Sequence, residues 1–357
     1  MYRRRRVTLV SLALSLVALL GLTAPAIGWS NGPNEGNGYG THDWIVSQAV
    51  KVFDGNPPAW FDLDTALLAT DDPDTQFRAI NEHVYKEKGY GRGAVDRITT
   101  FYHEALVAHR AGDEATASIA FGWLAHFYGD ILQPYHTAYA GTGLDASHLA
   151  YELLVDKQTR TEDMSPAWMT ADRTPHAVAD VRTTAIVAAA FSRSYFPELH
   201  SQFHADETVL NSRVTEITGD LLQRASSDLA DILYSLDQGV GDAAPAASVT
   251  TSVKYHYVAR NTTETVYATV KDATAHPLEG VRVDIAFPTA SGGTTLLRRY
   301  TTAAGTVTAY GAIGASPLGL RRDIVVTVTT GAVTKTRTTW FTPPAGLPPG
   351  RPGSSRM

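Results

Sequence analysis

The stretch from Phe121 to Glu152 (FGWLAHFYGDILQPYHTAYAGTGLDASHLAYE) contains two pairs of metal-binding residue types. The pairs are His126 with Asp130 and His148 with Glu152, and His136 lies between them. Residues four apart lie on the same face of an α-helix, so each pair places its imidazole and carboxylate side by side. A Gln-Pro break before His136 is predicted to end the first helix. The spacing therefore predicts two helices that present matching sets of ligands.

The apolar residues around His126 and Asp130 favour a metal site over a surface ion pair as the interpretation of this pair. Ile119, Trp123, Phe127 and Ile131 predict a largely buried helix around His126 and Asp130. A carboxylate buried in such a helix needs a partner, because burial of an unpaired charge is costly. A divalent cation supplies one, and two pairs with an intervening His predict a metal cluster between facing helices of a bundle.

Residues 1–28 have the pattern of a secretory signal. Arg3 to Arg6 form a basic segment, Val7 to Leu22 form an apolar core, and Ala26-Ile27-Gly28 is a small-x-small cleavage site. The alternative is an uncleaved membrane anchor, but the apolar run is short for a bilayer. We therefore expect a secreted protein whose mature chain begins at Trp29.

The composition excludes several classes of site. The chain has no cysteine, so thiolate metal sites and cysteine nucleophiles are ruled out. Its formal net charge of −6 over 357 residues shows no basic footprint for nucleic acid. The remaining ligands are imidazoles and carboxylates.

The hydrophobic pattern changes near residue 240 and divides the chain in two. Helical patterns predict helices over 42–53, 58–69, 94–111, 113–132, from 145 to beyond 155, 175–193 and 214–236. Alternation predicts strands over 253–258, 265–270, 281–287, 323–330 and 334–341. The expected fold is a mainly α helical-bundle domain (29–240), a linker (241–249), a small all-β immunoglobulin-like sandwich (250–342) and a disordered tail (343–357).

Nine positions in the first domain resemble the bacterial zinc-dependent phospholipases C. They are, in order, Trp29, His42, Asp71, His83, His126, Asp130, His136, His148 and Glu152. A more distant similarity is to the fungal single-strand-specific nucleases. The resemblance covers residues 29–240, and its most specific part is HFYGDILQPYH followed by HLAYE.

The resemblance implies three zinc ions. One is held by His83, His126 and Asp130, and a second by His136, His148 and Glu152. The third is held by the terminal amine and carbonyl of Trp29, by His42, and by Asp130 as a bridge. The predicted signal cleavage frees the amine of that same Trp29.

The implied activity is hydrolysis of the glycerol-side phosphoester bond of phospholipids by a metal-activated water. Asp71 is implied to take the proton of the water or to orient it, and a shift of one position to Asp72 stays open. Gly32, Asp72 and Ile80 depart from the pattern of the choline-specific enzymes. These departures predict that the cation cage for choline is missing or rebuilt.

Two other functions remain open. The same three zinc ions would serve a single-strand-specific nuclease or nucleotidase, with nucleic acid as its partner. The long interval from Trp29 to His42 and the short one from His136 to His148 favour the phospholipase. The third hypothesis is a non-catalytic, metal-stabilised surface adhesin. For the phospholipase we expect a monomer at a membrane surface, with the β domain as a docking module or a stabilising spacer.

Overall fold

The computed structural model describes residues 29, 38–76, 80–86, 91–138, 146–160, 168, 173–330 and 333–345. The predicted signal sequence (1–28), Gly32, and residues 346–357 of the predicted tail lie outside this part of the chain.

Helices make up the first domain. In chain order they are α1 Thr41–Lys51, α2 Leu63–Thr70, α3 Asp72–Gln76, α4 Gly93–Arg110, α5 Glu114–Ile131, α6 Pro134–Thr137, α7 Ala146–Thr159, α8 Val181–His204 and α9 Ser212–Asp237. A 3₁₀ turn, Ile80–Glu82, follows α3.

Helix α5 is the centre of this bundle. Asp113 caps it by accepting a hydrogen bond from the Thr116 amide, and the helix is buried almost all around from Ala117 onward. Gly122 permits a close approach by α2, since an added Cβ would lie 2.3 Å from the Ala66 carbonyl oxygen. The neighbouring helices can therefore reach the polar residues on α5.

Two helices differ from the sequence prediction. Helix α8 runs past the predicted end at residue 193 and contains Pro197 in its interior. Leu199 and Phe203 are fully buried beyond the proline, so packing outweighs the lost backbone hydrogen bond. Helix α2 begins at Leu63, several residues after the predicted start at 58, because the Asp62 side chain accepts the Thr65 amide and caps it there.

Seven antiparallel strands form the second domain: β1 Ser248–Val253, β2 Thr263–Lys271, β3 Arg282–Pro288, β4 Thr294–Tyr300, β5 Thr306–Ala312, β6 Arg322–Thr330 and β7 Val333–Phe341. They form one sheet in the order β1-β2-β5 and another in the order β4-β3-β6-β7. A single apolar core, which includes Val266, Val307, Ile285 and Val326, joins the two sheets. The predicted fold class, a helical domain followed by a small sandwich, is confirmed.

The details of the sandwich correct the strand predictions. The first strand ends at Val253, where the sequence predicted it to begin, and strands β4 and β5 were missed. Strand β4 is an edge strand with Leu296 exposed and lacks clean alternation. It pairs with β3, whereas constant-type immunoglobulin domains place the fourth strand on the other sheet.

The connection between the domains is held against the helices. The Gly241 carbonyl accepts the Val181 amide, and the Ala244 amide donates to the Asp180 carboxylate. The Arg182 guanidinium donates to the Ala244 carbonyl. These contacts give the connection a defined path over the start of α8. In the part of the chain that the structure describes, no helix combines the length and apolarity needed to cross a membrane.

Candidate metal centre

One face of α5 brings the first ligand set together. His126 and Asp130 are fully buried, and the His126 Nε2 lies 3.3 Å from the Asp130 Oδ2. His42 from α1 places its Nε2 3.7 Å from the Asp130 Oδ1. His83, which follows the 3₁₀ turn, places its Nδ1 2.9 Å from the Asp130 Oδ2. Asp130 therefore joins ligands from three separate segments.

Asp74 of α3 completes this set. Its Oδ1 lies 3.6 Å from the His126 Nε2 and 3.7 Å from the His83 Nδ1. Asp74, His83 and His126 thus form one potential metal-binding group, and His42, His126 and Asp130 form another.

A third potential metal-binding group consists of His136, His148 and Glu152. The His148 Nε2 lies 2.6 Å from the Glu152 Oε1 and 3.1 Å from the His136 Nε2. The Gln133 side chain donates to the same Glu152 oxygen at 2.8 Å. His148 and Glu152 of α7 thereby lie next to His136 of α6.

The three groups are adjacent. The His136 Nδ1 lies 3.7 Å from the Asp130 Oδ1 and donates to the His83 carbonyl oxygen at 2.8 Å. The His126 Nδ1 donates in the same way to the Thr70 carbonyl oxygen at 2.8 Å. Each backbone acceptor takes one ring nitrogen and turns the other toward the ligand group, which is how metal-binding histidines are commonly oriented.

Trp29 lies against the same helix. It is buried, and its indole nitrogen donates to the Gly129 carbonyl oxygen at 2.9 Å. Its ring also packs against Tyr151 of α7 at 5.5 Å between centroids. The residue predicted to become the mature N-terminus is therefore hydrogen-bonded to the residue that immediately precedes Asp130.

Charge is concentrated at the first ligand set. Burial by itself lowers the pKa of His126, but the Asp130 and Asp74 carboxylates outweigh it and raise that pKa to about 9. Burial also raises the pKa of Asp130, yet His126 and His83 hold it well below its usual value. Burial and the neighbouring His126 hold the pKa of His42 well below 6.5, so its imidazole is neutral and able to act as a ligand.

The donor atoms fit a cation. Among the described residues, several buried polar atoms have no hydrogen-bond partner: both ring nitrogens of His42, Nε2 of His83, Oδ1 of Asp130 and Oε2 of Glu152. Such atoms are rare in proteins unless something satisfies them. Imidazole and carboxylate ligands in clusters of three suit zinc. The residues present therefore fit a zinc centre with more than one ion.

The three carboxylates near the end of α2 have different surroundings. Asp71 is buried without belonging to a ligand group, and burial, with Asp43 adding to it, raises its pKa to about 7. Asp72 accepts hydrogen bonds from the Trp123 and Gln76 side chains. Asp74, which sequence analysis did not select, is the one that meets the imidazoles. All three lie within four positions of the sequence. The path of the short helix α3 decides which of their side chains faces the imidazoles.

Comparison with known proteins identifies related sequences. Residues 41–206 match the family described as zinc dependent phospholipase C. A phospholipase C of Clostridium novyi is 25% identical over 173 residues, which cover 40% of this chain and 43% of that protein. The chain thus matches less than half the length of this curated relative.

Two solved structures show a distant likeness. One is the alpha toxin of Clostridium absonum, with 16% identity, a TM-score of 0.46, and coverage of 87% of this chain and 98% of that chain. The other is the alpha-toxin of an avian strain of Clostridium perfringens, with 12% identity, a TM-score of 0.47, and coverage of 88% and 98%.

Substitutions should separate the ligand groups by metal content. Glu152→Ala removes a ligand from the third group alone, so we expect one zinc fewer per chain. Asp130 belongs to one group on α5 and lies 2.9 Å from His83 of the other, so for Asp130→Ala we expect a loss of two. Elemental analysis of dialysed protein measures this, with Asp72→Ala as a control outside the groups. Equal losses from the Glu152 and Asp130 variants would contradict this division.

Proposed function

We propose that this protein is a secreted phospholipase C, because residues 41–206 match the family described as zinc dependent phospholipase C. It would hydrolyse the glycerol-side phosphoester bond of phospholipids. The observation that carries the proposal is the convergence of three ligand groups around Asp130 in the core of the helical domain. A structural zinc site is closed by four protein ligands, whereas a catalytic site keeps a position open for water or substrate. Three adjacent groups of three ligands fit the catalytic type better.

The chemistry follows from the ligand set. Bound zinc ions would polarise the phosphoryl oxygens and make a water acidic enough to react near neutral pH. Asp74 is the member of the ligand groups that remains partly exposed, with 20% of its side chain accessible. A carboxylate in that position can hold a water and accept its proton while the buried histidines stay in place. The resemblance assigns this role to Asp71, which stays a prediction; the geometry favours Asp74.

We infer that three zinc ions bind, the third through the N-terminus. Support comes from the buried position of Trp29 and the hydrogen bond of its indole to Gly129, next to Asp130. The His42 Nε2 lies 3.7 Å from the Asp130 Oδ1, and both His42 ring nitrogens are unsatisfied among the described residues. Cleavage of the predicted signal after Gly28 would give Trp29 a free amine to add to these two ligands.

The proposed substrate is a phospholipid at a membrane surface, with the protein acting as a monomer. Asp72, where the choline-specific pattern has an aromatic residue, is bound by Trp123 and Gln76 and offers no ring for a quaternary ammonium. We therefore propose that the cation cage of the choline-specific enzymes is missing or rebuilt here. The β domain would help to dock the protein at the membrane or cell surface.

Metal removal should abolish the proposed activity. A chelator is expected to stop release of phosphorylated head groups from vesicles, and added zinc should restore it. One purified sample should be assayed on vesicles of several head groups and on single-stranded DNA. Cleavage of DNA alone would favour the nuclease hypothesis and contradict the phospholipase. The adhesin hypothesis instead predicts closed four-ligand zinc sites with no exchangeable water.

The catalytic carboxylate can be identified by replacing each candidate aspartate with asparagine. Asp74→Asn should lower kcat by about 10²–10⁴-fold, the usual contribution of a positioned base. Asp71→Asn should have less than about a tenfold effect, because Asp71 is not part of a ligand group. Zinc content must be measured for both variants. If Asp71→Asn is inactive with its zinc intact while Asp74→Asn is active, Asp71 has the catalytic role.

The N-terminal ligand is tested by extension. A mature protein with one extra alanine before Trp29 has its free amine displaced from the site, so we expect it to bind one zinc fewer. The matched control begins at Trp29, and elemental analysis compares the two. Equal zinc content in the two proteins would contradict the role of the terminal amine.

A further inference from the structure

The segment that carries His83 lies between the metal centre and the β domain. His83 faces Asp130 and Asp74, as described above. The residues beside it face the other way, since Glu82 and Tyr85 contact residues near or within the sandwich. A ligand on such a short segment depends on its neighbours for its position, because the segment lacks the support of a long helix.

Glu82 is held from both domains. The Arg97 Nε of α4 donates to the Glu82 Oε2 at 2.9 Å, and the Arg298 guanidinium of strand β4 lies 3.7 Å from the Glu82 Oε1. Only 14% of the Glu82 side chain is exposed. The carboxylate next to a metal ligand is therefore bound by an arginine from each domain.

The contact belongs to a network of alternating charge. Asp284 of β3 lies 3.4 Å from the Arg298 Nε and 2.7 Å from the Arg282 guanidinium. Arg282 in turn lies 3.8 Å from Asp96 of α4. The network thus crosses between the domains twice, at Glu82 and at Asp96, and Asp284 fixes the two arginines relative to each other.

A second contact lies on the other side of His83. The Arg92 guanidinium stacks on the Tyr85 ring with its carbon 4.6 Å from the centroid, and it donates to the Tyr85 hydroxyl. Arg92 also lies 3.8 Å from Glu279, in the turn before β3. An added Cβ on Gly280 would lie 3.3 Å from the Tyr85 hydroxyl oxygen, so the turn packs directly on this ring.

We propose that the β domain positions a metal ligand of the helical domain: Arg298, through Glu82, holds His83 in place for zinc. Arg298 is a positioning residue, since it contacts neither the ligand groups nor a substrate. The sandwich is then part of the metal centre's support as well as a separate module. This inference rests on the proposed zinc centre but is independent of which substrate the protein cleaves.

Zinc affinity of the full-length mature protein tests the proposal. Arg298→Ala should weaken zinc binding to the His83 group by about tenfold, at the lower end of the ~10–100-fold typical of residues that support ligands. Arg298→Lys should restore part of the affinity, because it keeps a positive charge near Glu82. The control is Arg321→Ala, whose guanidinium pairs with Asp323 inside the β domain. Affinity is measured by competition with a chromophoric chelator.

A double-mutant cycle shows whether the effect passes through His83. In a His83→Ala background, Arg298→Ala should leave the affinity of the remaining zinc unchanged. Cobalt substitution adds a spectroscopic readout, since a displaced imidazole should change the visible absorption of the Arg298 variant. If Arg298→Ala does not fold, Glu82→Gln takes its place in the cycle.

The outcomes separate this inference from the proposed function. Unchanged zinc affinity in the Arg298 variant overturns the positioning role. An equal loss in the His83→Ala background also overturns it, because the effect would then be general destabilisation. Failure of the wild-type protein to bind zinc at all would instead overturn the proposed function.

Discussion

Burial of the Asp130 carboxylate is the constraint on which the helical domain depends. An ion removed from water in a protein interior loses several kcal/mol of solvation, which nearby charges and hydrogen bonds must offset. Here imidazoles on three other segments supply part of the offset. Bound zinc would supply the rest. Because Asp130 has two oxygens, it can serve two ligand groups at once, with His42 near Oδ1 and His83 and His126 near Oδ2. The other helices are arranged around that one side chain.

Small residues on α5 make this arrangement sterically feasible. An added Cβ on Gly129 would lie 2.8 Å from the His42 Nδ1, so only glycine lets the α1 imidazole approach the helix so closely. Gly122 does the same for α2, whose last residue, Thr70, orients His126 through its carbonyl oxygen. The apolar residues of α5 provide burial, and the glycines provide space for the polar ligands.

The two domains are more closely connected than their compositions suggest. The Gly/Ala/Pro-rich connection has the composition of a flexible linker, yet Asp180 and Arg182 bind its backbone through hydrogen bonds. Charged residues of β3 and β4 reach α4 and the segment before His83. Individual ion pairs at partly exposed positions contribute little stability, but a network of fixed geometry can still define the position of a side chain. In this protein that side chain is His83, the proposed metal ligand.

The order of the residues already specifies the candidate ligand types, the helical character of the first domain and the change to strands near residue 240. These features are local: residues four apart share a helix face, and alternation defines a half-buried strand. Tertiary structure alone decided that Asp74 rather than Asp71 meets the imidazoles, because a short helix after Asp71 sets the direction of each side chain. It also decided that β4 pairs with β3. The link from Arg298 to Glu82 was decided in the same way, and it joins residues more than two hundred positions apart. Local periodicity carries no information on such contacts, because they arise only when separate elements pack together.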